Sequence, residues 1–381
     1  MRSTPNPAIM RWAIERCGKT PSDFVGIFKR IDKWLAGDAD VQPTTKQMGK
    51  LAAKTHVLLP YFYMDEIPDL GFQIPDFRTK GSKDLADPSP ELYDVINIMQ
   101  SRQDWLSEYL ESEDAQRRSF VGSCQSETSI AACVEEMRKL LPLENEWARG
   151  LQSDAAVRKL RETMEKVGVY VFAGSHIENN TSRSFSVDEF RGFVLTDTYA
   201  PLIFINTKDA KSAQLFTLAH EFAHLLFGES GVDDASLSAS SEAKCNAIAA
   251  EFLVPSALVY RIFEGRTAEE AIKELKKSTK ASEAVCLIRA KNLKCISSDQ
   301  YHRLRDEYES RLSEGDSPVA RTSGDGPRFY VMQKNRMGKL FPETVYTALM
   351  SDRLLFSDAY KLTGLNAKSF GEYFRREGMY V

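Results

Sequence analysis

Hydrophobic residues recur at helical spacing along most of the chain, and the pattern changes to short β-type runs in a single region. Residues 6–56 predict four short helices separated by Gly and Asp turns. Longer helical patterns follow at 91–111, 128–141 and 155–168. Runs of β-branched and aromatic residues bounded by turn residues then predict three strands, VYVFA (169–173), FRGFVLTD (190–197) and PLIFIN (201–206).

Two apolar helices follow the predicted strands. The first covers about residues 209–227 with Gly228 as its C-cap, and the second, SEAKCNAIAAEFL, stops before Pro255. Charged helices fill 267–312, and 328–381 form a small helical C-terminal unit. The pattern predicts an α+β fold, in which a helical N-terminal half and a helical C-terminal cap flank a small antiparallel or mixed sheet packed on the two apolar helices.

Length and connector composition divide the chain into four parts. A chain of 381 residues is too long for one ordinary core. Residues 61–92 are rich in Pro, Gly and Asp and predict an extended connector, and 313–327 predict a linker. The predicted parts are an N-terminal module, a connector with helices, the sheet-bearing domain with trailing helices, and the C-terminal unit (1–60, 61–150, 151–312 and 313–381). The N-terminal helices suit a helix-turn-helix module, and a plain helical mini-bundle fits the pattern equally well.

Composition and charge narrow the class of protein. The chain is 43% hydrophobic and 27% charged, and no apolar run approaches the roughly 20 residues needed to span a bilayer. Six cysteines without a C-x-x-C pair predict reduced thiols, and the N-terminus lacks a signal-peptide core, so we expect a cytoplasmic protein without a membrane partner. Residues 1–60 hold ten Lys/Arg against five Asp/Glu, and 321–381 hold ten against six. With a net charge of −4, the middle is acidic, which favours nucleic-acid contact only at the ends.

Three polar groups interrupt the first apolar helix, in FTLAHEFAHLLFG. His220 and His224 are four residues apart and therefore lie on one helix face, where two imidazole nitrogens can reach one point. H-E-x-x-H on a helix is the zinc-peptidase arrangement, with the glutamate, here Glu221, as general base. Zinc lowers the pKa of bound water towards ~7, and an adjacent carboxylate can take up its proton. The alternative is a buried polar cluster whose histidines bond to nearby carbonyls.

A catalytic zinc needs a third protein ligand and one open position. The next histidine in the sequence, His302, is far downstream in a charged helix. The carboxylates that follow the motif are the candidates, namely Asp233, Asp234, Glu242 and Glu251.

Helical geometry separates the two glutamates, because nine residues correspond to about 900° of rotation and opposite sides of a helix. Glu251 shares its face with Lys244 and is expected to face solvent. Glu242 leads a stripe of small and apolar residues, where a carboxylate needs a partner or a metal, so it is our candidate ligand. A carboxylate that merely favours the helix macrodipole is the alternative. Asn246, one turn on, is a candidate for holding a ligand in place.

These residues together resemble the ImmA/IrrE family of zinc metallo-endopeptidases. The resemblance is carried by FTLAHEFAH, by E-x-x-C-N-x-x-A-A-E-F-L-V-P from Glu242 to Pro255, and by EFRGFVLTD, YAPLIFIN and NNTSR. NPAIMRWAIERCG, KWLAGDADVQPTTKQMGKLA and IPDFRT are similar to long members that place an XRE-type helix-turn-helix ahead of the peptidase. GPRFY, MGKLF and FSDAYKLTGLNAKSF resemble the C-terminal unit of those members.

The resemblance implies a minimal zincin core with a gluzincin-like ligand set. His220, His224 and Glu242 would then bind Zn²⁺, and Glu221 would be the catalytic base. Characterised relatives cleave helix-turn-helix repressors of phage or stress-response genes, and long members are associated with toxin–antitoxin or defence settings. The expected partner is therefore a repressor or toxin, either cleaved or, in the alternative, neutralised by binding with the zinc site structural.

Two aspects of the sequence leave roles open. GIFKRIDK, between Phe24 and Trp34, is some four residues too short for the usual turn and recognition helix, so the N-terminal module either binds DNA or serves as a docking or dimer surface. A peptidase also needs a group that stabilises an oxyanion. The candidates for substrate or oxyanion contacts are His176, Asn180, Arg183 and Tyr199.

Overall fold

The computed structural model describes residues 4–17, 19–68, 89–228, 239–313 and 329–379. The candidate ligands Asp233 and Asp234 lie outside these residues, as do most of the predicted linker 313–327 and most of the predicted connector 61–92. The described residues form two units, one ending at Asn97 and the other beginning at Ile98.

The N-terminal unit contains the four predicted helices. They are α1 (Pro7–Arg16), α2 (Ser22–Val25), α3 (Ile31–Ala36) and α4 (Thr45–Thr55), followed by a 3-10 helix (Leu59–Tyr63). Asn6 caps α1, and Thr44 and Gln47 form a capping box at α4. The core of this unit consists of apolar side chains from every helix, including Phe24, Trp34 and Phe62. A single short helix, α3, follows the Gly26–Arg30 connection, in agreement with the shortened sequence there.

The second unit carries the sheet and most of the helices. Its helices before the sheet are α5 (Pro90–Ser112, which begins in the first unit), α6 (Ile130–Leu140) and α7 (Ser153–Lys166). The strands are β1 (Tyr170–Gly174), β2 (Gly192–Leu195) and β3 (Leu202–Asn206). After the sheet come α8 (Lys211–Phe227), α9 (Ala239–Leu253), α10 (Ser256–Phe263), α11 (Ala268–Thr279), α12 (Glu283–Asn292) and α13 (Ser298–Ser313). The C-terminal helices are α14 (Phe329–Met337), α15 (Leu340–Met350), α16 (Phe356–Thr363) and α17 (Ala367–Arg376).

The sheet is mixed and has the order β1-β3-β2. β1 runs parallel to β3, with Gly174 opposite Asn206, and β2 runs antiparallel to β3, with Gly192 opposite Ile205. Gly174, Asn206 and Gly192 therefore lie at one end of the sheet. The Asn206 side chain, fully buried, donates to the carbonyls of Ser186 and Phe190 and so ties the segment before β2 to this end.

Helix α8 lies in the middle of the main core. It packs against α7, α9 and the sheet, and eleven of its seventeen residues are buried, which explains why the sequence is apolar around most of the helix. The mostly helical chain with a small mixed sheet confirms the predicted α+β fold. None of the described helices is long and apolar enough by itself to cross a membrane; α9 and α10, bent by 53° at their junction, pass that test only as a pair.

Candidate metal centre

The helix that carries the H-E-x-x-H motif is held rigidly at both ends of the motif. Gly228 ends α8 in the left-handed conformation (φ 65°), and a side chain there would meet the backbone of Gly122. Phe216 stacks on the His220 ring one turn before it, with ring centroids 6.3 Å apart. Phe222, on the opposite face, stacks on Phe120 in the core. The helix is therefore fixed on both sides of the motif, and Phe216 packs on the ring of His220.

Three side chains from α8 and α9 converge on one point. The Nε2 atoms of His220 and His224 are 3.0 Å apart. Glu242 Oε2 lies 3.4 Å from His220 Nε2, and Glu242 Oε1 lies 3.2 Å from His224 Nε2. Metal–ligand distances of about 2.0–2.2 Å in a tetrahedral site place neighbouring ligand atoms about 3.3–3.6 Å apart. The observed spacing of 3.0–3.4 Å is close to this range, and among the described residues these three form the cluster able to hold a metal.

Glu242 has the electrostatics of a ligand. Hydrogen bonds to the two histidines hold the pKa of its carboxyl far below its ordinary value. Its side chain is 43% exposed, so the point of convergence is open to solvent on the Glu242 side. An open side is what a catalytic site requires and a closed structural site lacks.

Glu251 points to the other side of α9, as helical rotation predicts, but the expectation that it faces solvent is wrong. Its carboxylate forms an ion pair with Arg289 and accepts hydrogen bonds from the backbone N–H (2.9 Å) and hydroxyl (3.0 Å) of Ser256 at the start of α10. Only 24% of the side chain is exposed. Glu251 therefore connects α9 with α10 and α12. The presence of Lys244 on the same helix face had suggested a solvent-exposed position instead.

Glu221 lies beside the convergent ligands with its carboxyl buried. Burial raises its pKa, although the neighbouring histidines oppose the shift. Gly192, the first residue of β2, packs directly over it: a Cβ there would lie 2.5 Å from the Thr217 methyl, 2.8 Å from the Phe204 carbonyl and 3.5 Å from Glu221 Oε1. Sequence reasoning missed Gly192, although a glycine inside a strand often marks close approach of another group.

Cys245, rather than Asn246, contacts a histidine ligand. Its buried thiol lies 3.6 Å from His224 Nδ1, the ring nitrogen that faces away from the point of convergence. An acceptor at that nitrogen fixes the ring and the tautomer in which Nε2 is free to bind a metal. Asn246 is half-buried one turn after Glu242, and its role as a supporting residue stays a prediction.

Three of the other candidates, His176, Asn180 and Arg183, lie on one loop that leaves the sheet. His176 and Asn180 lie on the loop after β1, where His176 Nδ1 contacts the Ser175 hydroxyl (2.9 Å) and Asn180 Oδ1 accepts from Ser182 within the loop. Arg183, on the same loop, is buried. This loop leaves the sheet at the end where Gly192 meets Glu221.

Tyr199 and His302 lie elsewhere. Tyr199 is in the turn between β2 and β3, at the opposite end of these strands, and its hydroxyl contacts Arg117 (3.1 Å) and Glu111 (3.4 Å). The structure therefore does not bring Tyr199 to the candidate metal centre. His302 is exposed on α13 and does not join the metal-binding cluster of the described residues.

Comparisons with known proteins agree with this geometry. Residues 164–291 match the Peptidase_M78 family, described as an IrrE N-terminal-like domain, and this stretch contains the three candidate ligands and Glu221. Residues 337–376 match a domain of unknown function (DUF8813). No curated protein matches the chain. The match supports a metallopeptidase-type domain over residues 164–291, similar to the ImmA/IrrE family.

Proposed function

We propose that the protein is a zinc-dependent endopeptidase that cleaves a specific protein partner in the cytoplasm. The observation that carries the proposal is the convergence of His220, His224 and Glu242 within 3.0–3.4 Å of one another beside the buried carboxyl of Glu221. A structural zinc site is usually closed by four protein ligands and has no need of a base. Here three candidate ligands converge beside a buried base, and one of them, Glu242, has a side chain that is 43% exposed.

Zinc is the metal that this donor set favours. Two imidazoles and one carboxylate are the ligand set of several zinc peptidases, and a bound zinc would act as a Lewis acid that makes water nucleophilic at neutral pH. His220, His224 and Glu242 would hold the ion.

Glu221 supplies the proton transfers of the reaction. Its carboxylate oxygen takes a proton from the attacking water and passes it to the amide nitrogen that leaves as an amine. A raised pKa suits this task, because the group must both accept a proton and release it near neutral pH. Because residue 192 is a glycine, no Cβ at that position presses on the Glu221 carboxyl.

We further propose that the substrate is a repressor or toxin protein from a phage, stress-response or toxin–antitoxin setting. The support is the match of residues 164–291 to a peptidase family and the presence of helical segments before and after them in the sequence. His176, Asn180 and Arg183, on the loop at the metal-side end of the sheet, are the proposed substrate or oxyanion contacts.

A Glu221→Gln variant tests the assignment. It should bind zinc like the wild type, because residue 221 is not a ligand, and it should lose cleavage by at least a hundredfold, the lower end of what general acid–base catalysis contributes. Cleavage at the wild-type rate would contradict the proposed mechanism.

A second candidate is a regulator that acts by binding a toxin or DNA. It is favoured by the basic N-terminal unit, in which Lys29, Arg30 and Lys33 are exposed around the start of α3. Phosphate contacts by these side chains would make DNA binding salt-dependent. A mobility shift of the upstream DNA of the protein's own gene should appear at low salt and disappear in the triple Ala variant; unchanged mobility with wild-type protein would exclude DNA binding by this unit.

A further inference from the structure

The C-terminal unit, residues 329–379, packs directly against strand β1 of the peptidase domain. Phe341 packs against Phe172 of β1, with ring centroids 5.0 Å apart in an edge-to-face arrangement. Tyr170, also on β1, shares a hydrogen bond with Thr344 (3.1 Å). Helix α14 lies along β1, so the C-terminal unit covers this side of the sheet. Most of it matches a family whose function is unassigned.

Two charged side chains of α7, Glu165 and Arg161, reinforce this attachment. Glu165, only 8% exposed, accepts the backbone N–H groups of Lys339 (2.8 Å) and Leu340 (3.4 Å) at the start of α15. These bonds to unpaired N–H groups offset part of the cost of burying the carboxyl. Gly338 has φ 68°, and a Cβ there would lie 2.0 Å from Glu165 Oε1. Arg161 donates to the Asn335 carbonyl (2.8 Å) and the Val171 carbonyl (2.9 Å).

The same unit also forms hydrogen bonds to the loop after β1, residues 175–186. Asn179 is the main contact: its Oδ1 accepts from Gln333 (2.6 Å) and Arg336 (3.2 Å), and its Nδ2 donates to the Gly364 carbonyl (3.1 Å). One side chain of the loop thus contacts α14 and the end of α16 at once.

Glu178, the preceding residue, adds an ion pair. Its carboxylate lies 3.0 Å from the guanidinium of Arg102, whose side chain is only 3% exposed and also donates to the Leu362 carbonyl (2.7 Å). The backbone of Glu178 has φ 41°, a conformation that costs energy in a non-glycine residue and persists only when surrounding contacts impose it. Gly364 has no side chain, and a Cβ there would lie 2.5 Å from Glu178 Oε1.

Loop 175–186 starts at the end of the sheet that lies next to the candidate metal centre. It follows Gly174, which pairs with Asn206, and its Phe185 packs edge-to-face on Phe204 of β3 (5.8 Å). Phe204 in turn contributes the carbonyl that lies under Gly192, next to Glu221.

We infer that the C-terminal unit is a positioning element, which holds loop 175–186 in place at the metal-side end of the sheet through a polar clamp formed by Arg102, Glu178, Asn179, Gln333 and Arg336. It is therefore part of the peptidase machinery and not a separable recognition module. The consequence for cleavage rests on the proposed function, since the loop carries the proposed substrate contacts. The clamp itself does not depend on that function.

Hydrogen exchange of the full-length protein, read on peptides covering 175–186, tests the clamp. The amides of Ile177, Arg183 and Phe185 are hydrogen-bonded within the loop and report its opening. Loss of one ordinary hydrogen bond changes an opening equilibrium about fivefold, so Gln333→Leu, which keeps the buried volume, should speed loop exchange about fivefold. Asn179→Ala removes three bonds and should speed it roughly tenfold or more.

Three comparisons make the result specific. Asn179→Asp keeps the acceptor for Gln333 and Arg336 but loses the donor to the Gly364 carbonyl, so its loop exchange should lie between those of wild type and Asn179→Ala. Lys361→Ala removes an exposed ion pair of the C-terminal unit and should leave the loop unchanged. Peptides from β3 should keep their protection in every variant.

The inference is overturned if loop exchange in Asn179→Ala and Gln333→Leu stays within twofold of wild type, or if β3 loosens as much as the loop. Zinc content, measured on the same samples, should be unchanged. If the loop responds as expected while the wild type cleaves no partner, the clamp stands and the proposed peptidase function fails.

Discussion

Glu242 and Glu251 lie on the same helix, two and a half turns apart, and the structure gives them opposite tasks. Glu242 faces both histidines across 3.2–3.4 Å, whereas Glu251 pairs with Arg289 and holds the start of α10. Substituting each by Ala keeps a good helix former at both positions. The two variants should therefore separate loss of metal from loss of stability.

The structure sets the size of each effect. Zinc binding to small protein sites is worth about 10 kcal/mol or more, so one of three protein ligands contributes about 3 kcal/mol, or a loss of roughly 150-fold in affinity for Glu242→Ala. With 43% of its side chain exposed, Glu242 should change the stability of the metal-free protein by no more than about 0.5 kcal/mol. Breaking a fully buried ion pair costs about 3–5 kcal/mol; the Glu251–Arg289 pair is partly exposed, so we expect about 2–3 kcal/mol for Glu251→Ala.

Competition with a chromophoric chelator measures zinc affinity, and thermal unfolding with and without zinc measures stability. Glu251→Ala should unfold roughly 4–12 °C below wild type and should still be stabilised by zinc. Glu242→Ala should unfold like the metal-free wild type, with little response to zinc. Zinc affinity of Glu242→Ala within threefold of wild type would refute the assignment of Glu242 as the third ligand.

Three further substitutions test the surroundings of the site. Gly192→Ala forces a methyl group against a backbone carbonyl and should lower the free energy of unfolding by about 1–3 kcal/mol, whereas Gly371→Ala, in open space on a helix, should be neutral or stabilising in the same urea titration. Cys245→Ala removes the group that orients a histidine ligand and should weaken zinc binding about 10–100-fold, with Cys286→Ala, an equally buried thiol, as the control; equal affinities would deny Cys245 this role. Burial raises the pKa of Glu165, so the native state binds its proton more tightly than the unfolded chain, and ionisation costs stability as pH rises above the unfolded value. Glu165→Gln should therefore gain stability relative to wild type between pH 4 and 7.5, and a gap that stays constant or shrinks would contradict this sign.

Local patterns predicted the parts of the structure that depend on local physics. The i, i+4 spacing of His220 and His224 placed two nitrogens at one point, and rotation along α9 separated Glu242 from Glu251. Gly228 as a C-cap and the strand positions follow equally local rules.

Contacts between distant segments were beyond those rules. Arg289, which pairs with Glu251, is 38 residues away in the sequence, and no pattern on α9 indicates it. Tyr199 belongs to the strand region, but the antiparallel register of β2 and β3 places its turn at the wrong end of the sheet for the metal centre. The clamp on loop 175–186 joins residues more than 150 positions apart, such as Asn179 and Gln333.

Metal-dependent cleavage of a protein partner can be tested by a pull-down. Tagged wild type and tagged Glu221→Gln would be expressed in the native host and checked for equal zinc content, and their bound proteins would be identified by mass spectrometry. If the protein is a peptidase, the variant should hold a partner intact that is found clipped with the wild type. A partner held intact and equally by both would show that the protein acts by binding alone and would rule out cleavage of that partner.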